Sequence, residues 1–114
     1  MDPTLVAGTL ELLILDVLAR GDNYGYQIAQ IVVNRSQGLF DIKEGSLYPA
    51  LHRLERRTLI KGYWVEPDGI RGGRRRKYYA LTAEGRTARR AKRNEWSQFT
   101  KAVGGVLGVK HVMA

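Results

Sequence analysis

The chain of 114 residues contains no cysteine, which excludes disulfide bonds, thiolate zinc sites and cysteine nucleophiles. It also lacks long hydrophobic runs. The longest apolar stretch, residues 10–19, is interrupted by Glu11 and Asp16 and is far shorter than the ~20 residues that span a bilayer. Nothing resembles a signal peptide, because Asp2 replaces the basic start and no small-residue cleavage site follows an apolar run. We therefore expect a cytoplasmic protein without a membrane segment.

Patterns that carry catalysis are equally scarce. The two histidines are His52 and His111, and there is no carboxylate pair, P-loop, dinucleotide fingerprint or metal-ligand spacing. The pair Gly72 and Gly73 is a weak phosphate-loop signal and fits better as a flexible point in a loop. The sequence predicts neither an enzyme nor a bound cofactor or metal.

What the chain does have is positive charge in its middle. The 19 Lys and Arg residues exceed the 11 Asp and Glu residues, so the net charge is +8. Residues 1–42 carry a net charge of −3, residues 43–93 a net charge of +10, and residues 94–114 a net charge of +1. Solubility does not require such segregation, so the pattern favours a polyanionic partner such as DNA or RNA.

Hydrophobic periodicity predicts three helices, a β-hairpin and a final helix. The predicted helices cover residues 5–20, 24–35 and 45–57, the strands cover residues 60–65 and 76–81, and the last helix runs from its N-cap Thr82 to about residue 103. Pro49 is tolerated in a first helical turn, which puts the start of the third helix near Gly45 or Ser46. Gly104 and Gly105 predict fraying at the end of the last helix.

This order of elements predicts a fold that is mostly α with a small β-hairpin. Residues 1–81 would form a winged helix-turn-helix domain, and residues 82–114 a C-terminal dimerisation helix and tail. The first helix is apolar nearly all round, so it needs partners on more than one face, and a second subunit can supply one of them. The last helix carries a heptad-like apolar seam that ends near Val106. The predicted subunit interface comprises Leu10, Leu13, Val17, Trp96, Phe99 and Val103.

The third helix leaves a polar face that fits the major groove of B-DNA. Its members are Ser46, Tyr48, Pro49, His52, Arg53 and Arg56. Arg53 and Arg56 can donate to guanine or to phosphate. A solvated helix face would also carry such residues, but a tyrosine beside arginines suits an interface better than a free surface.

The hairpin tip is the stronger signal. It crowds together Arg71, Arg74, Arg75, Arg76 and Lys77. Their mutual repulsion is unfavourable unless counter-charges arrive, and DNA phosphates or a narrow minor groove supply them. A basic loop without a partner is the less favoured alternative.

Three segments in order resemble the PadR family of bacterial transcriptional regulators, in its small subclass with a single C-terminal helix. They are residues 24–28, residues 44–57 and residues 73–82, and the likeness extends over residues 10–103. Two positions depart from the usual family pattern. Tyr24 stands where many members have histidine, and Thr58 stands where a glycine commonly ends the recognition helix.

The resemblance implies a homodimer joined through its N-terminal and C-terminal helices, and most members are repressors. Carried over by position, the DNA-facing residues would be Tyr24, Ser46, Tyr48, Pro49, His52 and Arg53, with Arg74 to Lys77 forming the wing. In some members, paired tryptophans line a central pore and sandwich flat aromatic drugs. Trp96 stands at that position. Packing at the dimer seam is the favoured interpretation of Trp96, and ligand stacking is the alternative.

The sequence therefore predicts a homodimeric regulator that binds double-stranded DNA at a pseudo-palindromic operator. The family resemblance further implies that it is a repressor released by a small aromatic effector. Two alternatives stay open. A non-specific basic nucleic-acid-binding protein would bind unrelated duplexes equally well. A protein-interaction module with the same fold would not need Arg74, Arg75 and Arg76 for partner binding.

Overall fold

The computed structural model describes residues 8–67 and 73–109. Predictions about residues 5–7, about Arg71 and Gly72 in the hairpin loop, and about the tail with His111 lie outside these ranges. The described elements are α1 (Leu10–Ala19), β1 (Asn23–Tyr24), α2 (Gly25–Arg35), α3 (Glu44–Arg56), β2 (Ile60–Val65), β3 (Arg76–Leu81) and α4 (Ala83–Leu107). This arrangement confirms the predicted winged helix with a long C-terminal helix. No helix within the described ranges is long and apolar enough to cross a membrane.

One apolar core holds α1, α2, α3 and the sheet together. Its fully buried side chains come from all of these elements: Ile14, Leu15, Leu18, Ile28, Leu47, Leu51, Leu54 and Ile60. On α3 the buried leucines follow helical spacing, so one face of the helix is fixed inward. The opposite face of α3 is left on the surface.

The sheet has three antiparallel strands in the order β1-β3-β2. The hairpin register runs from the pair Ile60 and Leu81 to the pair Val65 and Arg76 at the wing tip. The two residues of β1 pair with Tyr79 and Tyr78 of β3. The sequence predicted only the hairpin, because a two-residue strand leaves no periodicity to detect. This third strand ties the start of α2 to the wing.

The boundaries of α3 and α4 differ from the prediction. Because α3 begins at Glu44, Pro49 is its sixth residue and lies inside the helix, not in the first turn. The carbonyl of Gly45 therefore lacks its usual intrahelical donor. The α4 helix does not fray at Gly104 and Gly105. It continues to Leu107 and ends at Gly108, whose φ of +73° gives the left-handed cap that glycine adopts easily.

Thr58 ends α3 in a left-handed conformation, with a φ of +60°. A β-branched residue is strained there by roughly 1–2 kcal/mol, which outweighs the greater unfolded-state entropy of glycine. We expect Thr58→Gly to raise the free energy of unfolding by about 0.5–1 kcal/mol in denaturant melts. Thr87→Gly, at an ordinary helical position of α4, is the matched control and should lower it. A loss of stability in both variants would contradict the strain at Thr58.

Candidate nucleic-acid interface

The exposed face of α3 carries every residue predicted for it. Ser46, Tyr48, Pro49, His52, Arg53 and Arg56 are all exposed. The face owes its direction to the buried side chains Leu47, Leu51 and Leu54 on the other side of the helix. Donors and acceptors of several kinds are thus presented on one accessible helix surface.

Tyr48 leans from α3 onto the first residue of α2. A methyl group built on Gly25 would lie 2.9 Å from the hydroxyl oxygen of Tyr48, which is too close for a real contact. The absence of a side chain at Gly25 therefore lets the Tyr48 ring lie against the α2 start. This packing holds Tyr48 next to Tyr24, which precedes α2 and pairs with β3.

The wing arginines lie on aromatic rings. The guanidinium carbon of Arg75 is 4.6 Å from the centre of the Trp64 ring, and that of Arg76 is 4.6 Å from the centre of the Tyr24 ring. Arg75 also pairs with Glu66 at 3.6 Å. Arg74, Arg75 and Arg76 remain exposed. Stacking on a ring leaves the edge of a guanidinium free to donate, so Arg75 and Arg76 are still able to bind an anion.

A groove of about 860 Å³ separates the recognition helix from the wing. Its lining is largely aromatic and basic and includes one carboxylate, that of Glu66, which pairs with Arg75. The aromatic members are Tyr24, Tyr26, Tyr48, Trp64, Tyr78 and Tyr79, and the basic members are Arg74, Arg75, Arg76 and Lys77. Phosphate groups accept hydrogen bonds from both tyrosine hydroxyls and arginines. The groove can therefore bind the phosphates of one nucleic-acid strand beside the exposed face of α3.

Lys77 differs from the other wing cations. Its ammonium group donates to Glu55 Oε1 on α3 at 3.0 Å, and its side chain is half-buried. Glu55 Oε2 accepts from the backbone N–H of Gly62 on β2 at 3.1 Å. One carboxylate thus joins α3 to both hairpin strands. Lys77 was predicted as a wing contact to DNA. The structure shows it bonded to Glu55 at the side of the groove, and its contact with DNA stays a prediction.

The contact between Glu55 and Lys77 shifts the pKa of both side chains. Burial raises the pKa of Glu55, but the hydrogen bonds from Lys77 and Gly62 outweigh it and bring that pKa below its usual value of 4.5. The hydrogen bond to Glu55 raises the pKa of Lys77. Because the folded carboxylate has the lower pKa, its stabilising contribution is present above pH 4.5 and is lost as the pH falls below that value.

A second carboxylate contacts the other edge of α3. Glu11 of α1 accepts from Arg53 Nε at 3.3 Å and from Arg57 Nη1 at 3.1 Å. Lys92 of α4 lies 3.8 Å from the same carboxylate. The recognition helix is therefore held by acidic side chains on both edges, at Glu11 and at Glu55.

The predicted apolar seam of α4 is on the surface of the single chain. Trp96, Val103 and Phe99 are 39%, 37% and 66% exposed, and Val106 is 88% exposed. The α1 members of the predicted interface differ. Leu10 and Val17, at 5% and 6% exposure, are buried in the core of their own chain. The regular apolar stripe of α1 is thus covered by its own fold, and a part for these two residues in a subunit interface stays a prediction.

Leu13 lies on the face of α1 that borders a cavity beside Trp96. With Leu12, Phe40 and Trp96 it lines a cavity of about 230 Å³ between α1 and α4, whose polar rim includes Asp16 and Arg93. Asp16 also anchors α4, since its Oδ1 accepts from Arg89 at 2.7 Å. Trp96 is thus placed beside an apolar opening that ends at the exposed seam.

The two carboxylates that hold this surface, Glu55 and Glu11, were not predicted from the sequence. Glu55 and Lys77 are 22 positions apart, and Glu11 and Arg53 are 42 apart, so no local pattern connects them. The one available signal was the pair of acidic residues, Glu11 and Asp16, on a helix that is otherwise apolar.

Comparison with known proteins agrees with the geometry. The family described as "Transcriptional regulator PadR-like family" matches residues 14–91. A protein of Lysinibacillus sphaericus is 32% identical over 99 residues, covering 87% of this chain and 88% of that protein. The Transcriptional regulator YqjI of Escherichia coli is 40% identical over 53 residues, which cover 46% of this chain but 26% of that regulator.

Solved structures give the same result over nearly the whole chain. A transcriptional regulator from Clostridium thermocellum is 33% identical, with a TM-score of 0.79 and coverage of 90% of this chain and 96% of that one. A PadR family transcription regulator from Clostridium difficile is 38% identical, with a TM-score of 0.73 and coverage of 87% and 98%.

Proposed function

Because this chain belongs to the PadR-like family of transcriptional regulators, we propose that it works as a homodimeric repressor on a pseudo-palindromic operator. That the protein is a DNA-binding regulator and not an enzyme follows from its family. The mode of action is our proposal. The observation that supports it most is the surface formed by the exposed α3 face, the wing arginines and the groove between them.

We propose that α3 enters the major groove while the wing follows the adjacent backbone. His52, Arg53 and Arg56 are exposed along the C-terminal half of α3, and side chains on such a helix face can reach base edges. Tyr24, Tyr48 and Arg76 border the groove, where phosphate oxygens would accept their hydrogen bonds. Two copies related by a two-fold axis would occupy successive major grooves, roughly 34 Å apart.

The proposed dimer is supported by the seam on α4. Four large apolar side chains lie on one helix surface, and burying them against a second copy would remove apolar area from water. Residues 82–114, which contain α4, would then serve as the dimerisation element. Residues 1–81 would form the DNA-binding unit. Leu12 and Leu13 of α1 border the same region.

Release by a small aromatic effector is part of the proposal, and the cavity beside Trp96 supports it. The chain has two tryptophans, so Trp64→Phe leaves Trp96 as the one indole fluorophore. Planar aromatic compounds can be titrated against this variant. A compound that quenches Trp96 and weakens operator binding while the dimer persists would support release. Quenching without any change in DNA affinity would contradict it.

The decisive experiment measures binding of the full chain to the duplex upstream of its own gene and to a scrambled duplex of equal length. A preference that survives near-physiological salt, with two protomers per footprint, would support the proposal. Equal affinity that disappears with added salt would favour the non-specific alternative. A reporter placed behind the footprinted site then tests the sign of regulation, since an activator would raise its expression.

The wing provides the matched mutational test. Replacing Arg74, Arg75 and Arg76 together with alanine removes up to three phosphate contacts, each worth about 0.9 in the slope of log K against log salt. We expect the slope to flatten by ~2–3 and the affinity near 0.1 M salt to fall by at least ~10-fold. Alanine at Arg35, Arg90 and Lys101, exposed on α2 and α4, removes equal charge and is the control. Equal effects of both triple variants would argue against a wing contact.

A further inference from the structure

The carboxylate of Glu11 is surrounded by three cations from two helices. Arg53 of α3 and Arg57, the residue that caps the end of α3, approach it at 3.3 and 3.1 Å, and Lys92 approaches it from α4 at 3.8 Å. The Glu11 side chain is 21% exposed, whereas those of Arg53 and Arg57 are about half exposed. The acid is therefore the more buried member of the cluster, and the two arginines extend from it towards the surface.

The cations of α3 fall into two groups. Arg53 and Arg57 lie one helical turn apart on the edge that faces α1, where Glu11 holds them. Arg56 points to the open face and has no ion pair within the described residues. The recognition helix thus offers one free arginine and keeps two others engaged.

We propose that Glu11 is a specificity-determining residue that holds Arg53 and Arg57 back from the phosphates of unrelated DNA. The proposal rests on the DNA-binding surface described above. Non-specific binding comes almost entirely from cations that neutralise phosphates. A carboxylate already bound to two such cations lowers their availability to any duplex. An operator that presents a well-aligned acceptor to Arg53 can displace Glu11, but a phosphate in an arbitrary register cannot.

The salt dependence of binding measures this competition directly. Each additional phosphate contact steepens the slope of log K against log salt by about 0.9, which corresponds to roughly a three- to fourfold change between 50 and 200 mM salt. We expect Glu11→Gln to steepen the slope on a scrambled duplex by about 1–2 and to raise the low-salt affinity for that duplex by roughly 3–10-fold. The affinity for the operator should rise less than the affinity for the scrambled duplex. The ratio of the two affinities, which measures specificity, should therefore fall.

The control is Glu95→Gln on the exposed part of α4, which makes the same change in net charge away from α3. It should leave the slope close to that of the native chain. Glu11→Asp is the second variant. It keeps the charge but is one methylene shorter, so it should release one arginine and give an intermediate slope. Thermal melts of each variant establish that the compared proteins are folded.

Introducing Glu11→Gln into a chain that already carries Arg53→Gln and Arg57→Gln tests the route of the effect. The slope should change little there, because the two arginines that Glu11 binds are gone and Lys92 is the one cation left beside it among the described residues. An unchanged slope for Glu11→Gln in the native background, with a loss of operator affinity, would overturn the proposal, since Glu11 would then orient Arg53 for binding. If no operator preference exists at all, the proposed function fails, while the slopes on the scrambled duplex still decide the role of Glu11.

Discussion

Replacing Gly85 with alanine is expected to lower the free energy of unfolding by about 3 kcal/mol or more, the upper end for overpacking a buried site. Gly85 is buried in the first turn of α4, and a methyl group there would overlap the carbonyl oxygen of Leu59. It would also lie 2.6 Å from Cδ1 of Leu81. A backbone carbonyl cannot rotate away as a side chain can. The start of α4 would therefore have to move.

Moving α4 would also break the contacts that fix its start. The Thr82 N–H donates to the Leu59 carbonyl at 3.1 Å, and the Thr82 hydroxyl accepts from the Gly85 N–H at 3.0 Å. A domain of this size has a total stability of roughly 5–15 kcal/mol, so the midpoint of thermal unfolding should fall by on the order of 10 °C or more.

The control for Gly85 lies in the same helix. A methyl group at Gly105 meets nothing within 4 Å, so Gly105→Ala should leave stability unchanged or raise it by up to ~1 kcal/mol through helix propensity. Denaturant melts of the two variants measure the difference. Similar stabilities for Gly85→Ala and the native chain would show that α4 does not sit on the backbone at Leu59.

The contact at Gly85 illustrates what the sequence could not disclose. Periodicity placed α3, β2 and β3 within a residue or so, because an apolar stripe or an alternating strand is a local signal. Thr82 was identified as the N-cap of α4 for the same reason, and its side chain does accept from the Gly85 N–H. That Gly85 must lie flat on a backbone segment 26 residues earlier has no local signature.

The same limit applies to the candidate DNA-binding surface. The exposed face of α3 follows from helical spacing, and all six residues predicted there are exposed. The role of Lys77 does not follow from its position in a basic run, because its partner Glu55 belongs to another element. Likewise, Leu10 and Leu13 look alike in the sequence, and only the packed fold shows that the first is buried internally and the second borders the cavity beside Trp96.

The fold divides the basic residues in the middle of the chain into two groups, those exposed on the surface and those paired with acidic side chains. Arg74, Arg75 and Arg76 stay exposed on the wing, whereas Lys77 and Arg89 are engaged by acidic side chains of α3 and α1. Net charge therefore overstates the number of groups that can reach a phosphate. The internal pairs instead join the wing to α3 and α4 to α1.

Placing a carboxylate in the α4 seam is expected to abolish the proposed dimer. Phe99 is 66% exposed in the single chain, so Phe99→Glu should not disturb the fold of one subunit. In a symmetric dimer the substitution acts twice. It removes two buried aromatic side chains, each worth about 1.5–3 kcal/mol, and brings two unpaired charges into an apolar interface. We expect a monomer at micromolar concentration by light scattering.

Loss of the dimer should carry over to DNA. Two linked half-site contacts exceed either one alone by ~10²–10⁴ in affinity, so Phe99→Glu should weaken operator binding by about 100-fold or more while a single half-site is bound nearly as well as before. Gln98→Glu adds the same charge on the adjacent exposed position and should leave both the dimer and the operator affinity intact. The two variants carry the same net charge, and their substitutions are at neighbouring positions. A dimer that survives Phe99→Glu would therefore place the subunit contact outside the α4 seam. A monomer that still binds the full operator as tightly as the native chain would instead separate DNA recognition from dimerisation altogether.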